Sequence, residues 1–119
     1  MRVLSPTDAL ARFGHALSDP TRTRVLLALR EGPAYPADLA ELAGVTRQAM
    51  SNHLACLRGC GLVVSVPEGR RSRYELADAR IGHALGDLIA LALVVDPMCR
   101  GGANDVEGLA PAAQEVRSP

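Results

Sequence analysis

Residues 36–61 read PADLAELAGVTRQAMSNHLACLRGCG, and this stretch decides the fold. Its first part predicts a short helix that begins at Pro36 and is closed by Gly44, because proline suits the first helical turn and glycine the residue after the last. Thr46 then offers a side-chain oxygen as the N-cap of a second helix, expected over about 47–59 and followed by glycines. A short helix, a tight turn and a longer helix together predict a helix-turn-helix.

Two further helices are predicted before this motif. Residues 5–17 carry apolar side chains at helical spacing, and residues 20–31 do so between an N-cap at Asp19 and a stop at Gly32. The expected apolar stripes are Leu10, Phe13 and Leu17 in the first helix and Val25, Leu26 and Leu29 in the second.

A hairpin and a last helix are predicted after the motif. Residues 62–66 are rich in β-branched side chains, residues 72–76 alternate, and residues 67–71 between them form a charged turn. Residues 78–96 return to helical spacing and end before Pro97. The fold class is therefore mainly α with a small β-hairpin, a winged helix-turn-helix. The last helix should carry one apolar stripe of Ile81, Leu85, Leu88, Ile89, Ala92 and Val95.

Length and composition allow one domain with a tail. The chain has 119 residues, and its low aromatic content of 3% favours a helical core of Leu, Val and Ala. We expect the domain to cover residues 1–96 and a flexible C-terminal tail, rich in Gly, Pro, Ala and acidic residues, to cover 97–119. No signal peptide precedes the first helix, and the apolar segment 81–95 is too short to span a bilayer, so a cytoplasmic location is expected.

Three faces separate along the 47–59 helix when each residue advances by about 100°. Met50, Leu54 and Leu57 fall on the side that faces the core. A second sector is polar and rich in amide and guanidinium groups, which read base edges and phosphates in a major groove. This sector holds Arg47, Gln48, Ser51, Asn52, Ala55 and Arg58.

Local charge favours DNA binding over a merely solvated helix face. Residues 44–76 carry five arginines against two glutamates, a local charge of +3 in a chain whose formal net charge is zero. The excess lies where a winged helix meets phosphates. We therefore expect double-stranded DNA as a partner, contacted through Arg47, Gln48, Ser51 and Asn52 on the helix and Arg70, Arg71 and Arg73 at the wing.

A third sector of the same helix carries thiols. Cys56 and Cys60 stand one turn apart beside Ala49 and His53, so their Cβ atoms should lie about 5–6 Å apart. One soft ion can bridge two such thiolates. Cys99 follows the last predicted helix, where no core position demands it. The alternative interpretation is that Cys56 and Cys60 are small buried hydrophobic residues.

Several motifs resemble one family over about residues 8–96. Residues 18–22, read as SDPTR, resemble the opening of the second helix in the ArsR/SmtB metal-sensing repressors. Residues 51–63, with their Ser-Asn-His-Leu start, are similar to that family's recognition helix, and Gly69-Arg70 with Tyr74 is similar to its wing. The resemblance implies a homodimer joined mainly by its first and last helices, which releases operator DNA when it binds a metal or metalloid.

The resemblance also implies which sensor site this chain carries. The Cys-Val-Cys motif of one branch is absent, since residues 35–39 read YPADL. The zinc site of another branch is incomplete, since Asp78 and His83 are present but no second histidine follows. The remaining ligands are Cys56, Cys60 and Cys99, as in the branch that senses cadmium and lead, where the tail cysteine comes from the other protomer. The implied inducers are Cd(II) or Pb(II), with As(III) also compatible with three thiolates.

Three histidines and two other function classes complete the expectations. The resemblance gives His53 a role in packing or DNA contact. The position of His53 beside Cys56 leaves a role as fourth ligand open. His15 and His83 are expected to be ordinary surface or core residues. A redox-sensing or ligand-independent winged-helix repressor remains the alternative, as does a winged helix that binds protein. No catalytic constellation of residues supports an enzyme.

Overall fold

The computed structural model describes residues 3–91 and 93–96. In chain order the elements are α1 (Pro6–Leu17), α2 (Pro20–Arg30), α3 (Pro36–Ala43), α4 (Arg47–Gly59), β1 (Val63–Glu68), β2 (Arg71–Leu76) and α5 (Ala79–Ala90). The chain divides into two compact units, one ending at Asp87 and the other beginning at Leu88. The order α3, α4, β1 and β2 is the predicted helix-turn-helix followed by a two-stranded wing.

Side-chain oxygens fix where three of the helices begin. Proline stands in the first turn of α1, α2 and α3, and Gly44 ends α3 in the left-handed region at φ 70°, where a side chain would be strained. Each cap oxygen accepts a backbone N–H three residues on: Ser5 from Asp8 at 3.1 Å, Asp19 from Arg22 at 2.9 Å and Thr46 from Ala49 at 3.0 Å.

The core lies between α2, α3, α4 and the start of the wing. The predicted inward faces of α2 and α4 are confirmed, but Leu10 of α1 is 70% exposed, and Ala16 is the buried residue of that helix. Phe13 and Leu17 only pack against the edge of the core. The buried set is Ala16, Val25, Leu26, Leu29, Leu39, Ala40, Met50, Leu54, Leu57, Leu62, Val63 and Leu85.

The wing is longer, and its turn shorter, than the sequence suggested. The strands pair antiparallel from Val63 opposite Leu76 to Glu68 opposite Arg71, so the predicted five-residue turn is only Gly69-Arg70. Gly69 has φ 64°, which lets a two-residue turn form without strain. The loop before α3 joins the wing as well, because Ala34 and Tyr74 exchange backbone hydrogen bonds at 3.0 and 2.7 Å.

The last helix ends at Ala90, six residues before the predicted end. The Leu91 N–H bonds to the Leu88 carbonyl at 3.2 Å, a tightened final turn, and the β-branched residues at 94 and 95 are poor helix formers. Leu88, Ile89, Leu91 and Val95 are exposed in the single chain. The predicted stripe position Ala92, the predicted tail 97–119 and its candidate ligand Cys99 lie outside the described residues.

Removing the Asp19 cap should destabilise the domain in a pH-dependent way. The Arg22 backbone N–H, helped by the charges of His53 and Arg22, holds the pKa of Asp19 below its usual value. The cap therefore contributes fully above the ordinary pKa of an aspartate and is lost as the pH falls through the lowered value. We expect Asp19→Ala to lower the free energy of unfolding by about 1 kcal/mol at neutral pH, measured by urea denaturation.

Asp19→Asn is the matched control, because asparagine keeps an acceptor oxygen but cannot titrate. It should keep most of the stability at neutral pH and lose the acid-dependent part. Equal destabilisation by Ala and Asn would show that charge, and not the cap hydrogen bond, is what Asp19 supplies.

Candidate metal site and nucleic-acid interface

One face of α4 is exposed and polar, as the helical spacing predicts. The Thr46 cap and the buried side chains of Met50, Leu54 and Leu57 fix the helix on its other side. On the exposed face the Gln48 Nε2 donates to the Asn52 Oδ1 at 3.3 Å. All six predicted members of this polar sector are exposed: Arg47, Gln48, Ser51, Asn52, Ala55 and Arg58. The Arg58 guanidinium also donates to the Tyr74 hydroxyl at 3.2 Å and so ties α4 to β2.

The three wing arginines are not equivalent, although the sequence treats them alike. The Arg71 guanidinium lies over the Tyr35 ring, 3.5 Å from its centroid. Arg73 pairs with Glu68 at 3.0 Å and reaches Glu75 at 3.7 Å. Arg70, exposed at the turn, has neither an ion pair nor a hydrogen bond to any residue that the structure describes. Phosphate contact therefore stays a prediction for all three and is geometrically simplest for Arg70.

A hydrogen bond holds the wing against the loop before α3. The Tyr35 hydroxyl donates to the Glu68 carboxylate. This bond lowers the pKa of Glu68 and raises that of Tyr35, and the Arg73 charge adds to the shift of Glu68. The sequence could not indicate this contact, because Tyr35 and Glu68 are joined only through the tertiary fold.

The thiols of Cys56, in α4, and Cys60, the C-cap of α4, lie on a separate, half-buried sector. Cys56 and Cys60 share it with Ala49 and His53, as the helical spacing predicts, and both thiols are free. The Cys60 N–H donates to the Cys56 carbonyl at 3.0 Å, which fixes the two residues relative to each other. Burial and the neighbouring Cys56 raise the pKa of the Cys60 thiol, and the charge of Arg12 opposes this shift. Two adjacent thiols are a donor set that fits a soft cation.

His15, expected from the sequence to be an ordinary surface or core residue, contacts the Cys56 thiol. His15, near the end of α1, places its Nε2 3.8 Å from the Cys56 Sγ. No spacing rule could have found it, since 41 residues separate the two side chains in the chain. A cavity of about 490 Å³ opens beside them, lined by Leu4, Asp8, Ala11, Arg12, His15 and Cys60.

The other two histidines contact other groups. The His53 Nδ1 is 3.9 Å from the Asp19 carboxylate at the start of α2, so His53 contacts the cap of that helix. His83 lines a different cavity of about 460 Å³ together with Arg30 and Glu75. Asp78 is occupied by hydrogen bonds from Arg80, which lower its pKa to about 2. Neither residue belongs to a group of three possible metal ligands among residues 3–91 and 93–96.

No group of three His, Cys, Asp or Glu side chains is arranged for metal binding within residues 3–91 and 93–96. The predicted ligand set is therefore represented by Cys56 and Cys60 alone, because its third member, Cys99, lies beyond those ranges. Across the same ranges, the structure has no helix that is both long enough and apolar enough to cross a membrane.

Comparison with known proteins identifies the family. Residues 19–65 match the pattern of the bacterial regulatory proteins of the arsR family. The chain is also 58% identical over 89 residues to the HTH-type transcriptional regulator CmtR of Mycobacterium tuberculosis, covering 75% of each protein. This chain belongs to the ArsR family. Its relatives in that family are transcriptional regulators, which confirms the expectation that it is not an enzyme.

Solved structures of ArsR-family proteins have the same fold. The NMR structure of the cadmium metal-sensor CmtR from M. tuberculosis matches with a TM-score of 0.60 at 57% identity, covering 72% of this chain and 90% of that one. A homodimeric winged helix-turn-helix domain from Mycobacterium bovis matches with a TM-score of 0.69 at 27% identity, covering 77% of this chain and 90% of its own. This ArsR-family chain is accordingly a winged helix-turn-helix transcriptional regulator, and the predicted resemblance is confirmed.

Proposed function

We propose that this ArsR-family regulator is a metal-responsive repressor whose metal-free homodimer binds operator DNA in the cytoplasm and leaves it when a thiophilic cation binds. One observation carries the proposal: α4 presents an exposed polar face on one side and a half-buried pair of thiols on another. A single helix therefore serves both binding events, and a change in how it is held affects both.

The proposed DNA binding (the DNA arm of the proposal) rests on the exposed face of α4. Arg47 and Gln48 begin the helix, which is the end that enters a major groove in this motif. Ser51 and Asn52 follow one turn later, and Arg70 is exposed at the wing tip, where it can meet phosphate. A homodimer would place one α4 in each half of a roughly palindromic operator.

The dimer is supported by apolar side chains that the single chain leaves exposed. Leu10 lies on α1, and Leu88 and Ile89 lie near the end of α5. Exposed apolar residues on the first and last helices are what a contact between two copies would bury. The match to a homodimeric winged helix-turn-helix domain supports the same arrangement.

The metal arm rests on Cys56 and Cys60, with Cys99 as the proposed third thiolate. When bound, the cation would supply a centre that three thiolates share, and Cd(II), Pb(II) and As(III) all suit such a set. A relative at 57% identity is a cadmium metal-sensor, which supports Cd(II). Cys99 follows Asp96 by three residues in the sequence.

Coupling between the two arms follows from their shared helix. Ligation of the cation by Cys99 would bring the segment that carries it against α4. The polar face of α4 would then be held in a position that does not fit its half of the operator. A coupling free energy of about 1–3 kcal/mol is typical, and it must be reciprocal, so operator DNA should weaken metal binding by the same factor. Protons compete for thiolates, so metal affinity should fall at low pH.

The first test is a titration of reduced, metal-free protein with Cd(II), followed by the ultraviolet absorption of thiolate-to-metal bonds. We expect a tight, stoichiometric rise in the natural protein. Cys99→Ser should lower both the absorption per cation and the affinity, because one of three thiolates is lost, while DNA binding stays unchanged.

Met98→Ser is the matched control, since it alters the neighbouring position and leaves all three thiols in place. Identical titrations for the natural protein, Cys99→Ser and Met98→Ser would remove Cys99 from the site. A natural protein without any saturable rise would overturn the metal arm and leave a winged-helix repressor with an oxidative or unknown trigger.

A further inference from the structure

We propose that His15 of α1 is a nitrogen ligand of the same cation, so that each metal site joins α1 to the recognition helix α4 within one chain. The inference rests on the proposed metal response and adds a residue to its site. Its starting point is the 3.8 Å contact between the His15 Nε2 and the Cys56 Sγ. This contact brings a metal-binding nitrogen to a thiol pair that already fits a soft cation.

The length of this contact suits two ligands of one ion. With metal–sulfur bonds of about 2.3 Å and metal–nitrogen bonds of about 2.0–2.1 Å, tetrahedral geometry separates sulfur from nitrogen by about 3.5 Å. A larger cation has longer bonds and widens that separation. The observed 3.8 Å therefore needs little movement of either side chain to admit a cation between them.

The backbone on both sides of the contact is held in place. The His15 carbonyl accepts the Ser18 hydroxyl at 2.7 Å and the Arg22 guanidinium at 2.9 Å. On the other side, Cys56 belongs to α4, whose end is tied to α1 where the Arg12 guanidinium donates to the Gly59 carbonyl at 3.4 Å. A metal site gains affinity when its ligands are fixed in this way before binding.

Cys60 borders the same cavity beside α1 as His15 does. His15 and Cys60 both line this cavity of about 490 Å³, and Cys56 contacts His15 directly. The described residues do not yet point three donors at a single spot. Cation binding therefore requires side-chain rotation of Cys60 toward the His15–Cys56 contact, and the cavity supplies the room for that rotation.

A nitrogen ligand from α1 would change what the site does. A fully thiolate site needs only α4 and the segment that carries Cys99, whereas His15 also connects the helix on which Leu10 is exposed for dimer contact. Cation binding would then affect α1, which carries the proposed dimer contact, and the recognition helix α4 together. It would also shift the preference toward cations that accept imidazole, because nitrogen is a harder donor than thiolate.

The deciding experiment is NMR of the full chain loaded with an NMR-active cadmium isotope. A metal–nitrogen bond transmits spin coupling from cadmium to the ring protons of the ligating histidine. We expect such coupling at His15 and none at His53 or His83, which serve as controls within the same sample.

Variants give the second readout. His15→Ala should bind Cd(II) about tenfold more weakly or worse and should keep the thiolate absorption at saturation, because the sulfur ligands remain. His15→Gln keeps a polar group that can hydrogen-bond to Cys56, so it should restore binding only if the natural contact is a hydrogen bond and not ligation. His15 is exposed, and unchanged thermal unfolding of both variants would show that the fold is intact.

The outcomes separate this inference from the proposed function. Absence of saturable thiolate absorption in the natural protein would count against the metal response itself. Normal absorption with bound cadmium but no coupling at His15, or full rescue by glutamine, would overturn the role of His15 and leave the thiolate sensor standing. Coupling at His15 together with weaker binding in both variants would establish it.

Discussion

Replacing Cys56 with serine is expected to remove tight Cd(II) binding and to leave DNA binding nearly intact. Cys56 contacts both other candidate ligands that the structure describes: its Sγ lies 3.8 Å from the His15 Nε2, and its thiol makes a side-chain hydrogen bond with that of Cys60. Changing a residue that only supports a ligand typically costs about 10–100-fold in metal affinity, so loss of this central thiolate should cost at least that much.

The same substitution should spare DNA because of where Cys56 lies. Its sector is half-buried and turned away from the exposed face that carries Arg47 and Gln48. Affinity for a duplex selected by the natural protein should therefore change by less than about threefold, well under the cost of one lost base contact. The duplex should stay bound at Cd(II) concentrations that release the natural protein.

Ala49→Ser is the control for this experiment, because it places a hydroxyl on the same half-buried sector and removes no thiol. It should titrate with Cd(II) as the natural protein does. If Cys56→Ser still bound Cd(II) tightly, the metal response would have to use other groups, and the thiol pair of α4 would not be the sensor.

Local signals were sufficient to predict the helices and the core face of α4. Asp19 and Thr46, both predicted as N-caps, each accept a hydrogen bond from a residue three positions on, and such contacts can be predicted from neighbouring residues alone. The inward position of Met50 and Leu54 follows from the helical period in the same way. The two caps and the core face of α4 therefore follow from residues of a single element.

Two predictions were wrong: the core face of α1 and the end of the last helix. Leu10 has the spacing of a core residue, yet in the single chain α1 turns Ala16 inward and leaves Leu10 exposed. The last helix was predicted too long because apolar spacing continues past Ala90, whereas the backbone already tightens at Leu91. The spacing of apolar residues shows which side of a helix is apolar. It does not show which other surface covers that side.

Only part of the candidate site could be predicted from the sequence. The thiol pair of Cys56 and Cys60 was predictable because Cys56 lies in α4 and Cys60, one turn on, is the C-cap of that helix. The contact with His15 was not, since it depends on how α1 packs beside the end of α4. The pairing of Arg73 with Glu68 depends on the strand register, and that register follows only when the turn is placed at Gly69.

The double substitution Arg47→Ala with Gln48→Ala should reduce operator affinity at least thirtyfold. Both side chains are exposed in the first turn of α4, the end that enters the groove. A good base contact is worth about 1–3 kcal/mol, so loss of two such contacts costs about 2 kcal/mol or more. Fluorescence anisotropy with a duplex that the natural protein selects from a random pool gives the affinity and does not require the natural operator sequence.

The control for lost charge is Arg24→Ala, an exposed arginine of α2 that lies outside the helix-turn-helix. It removes the same charge as Arg47→Ala and should lower affinity much less. Because the thiols are untouched, the double variant should also keep the full Cd(II) titration, which separates a damaged reading face from a damaged fold. If the double variant bound the duplex as tightly as the natural protein, the exposed face of α4 would not be the surface that reads DNA, and the basic wing would have to carry recognition instead.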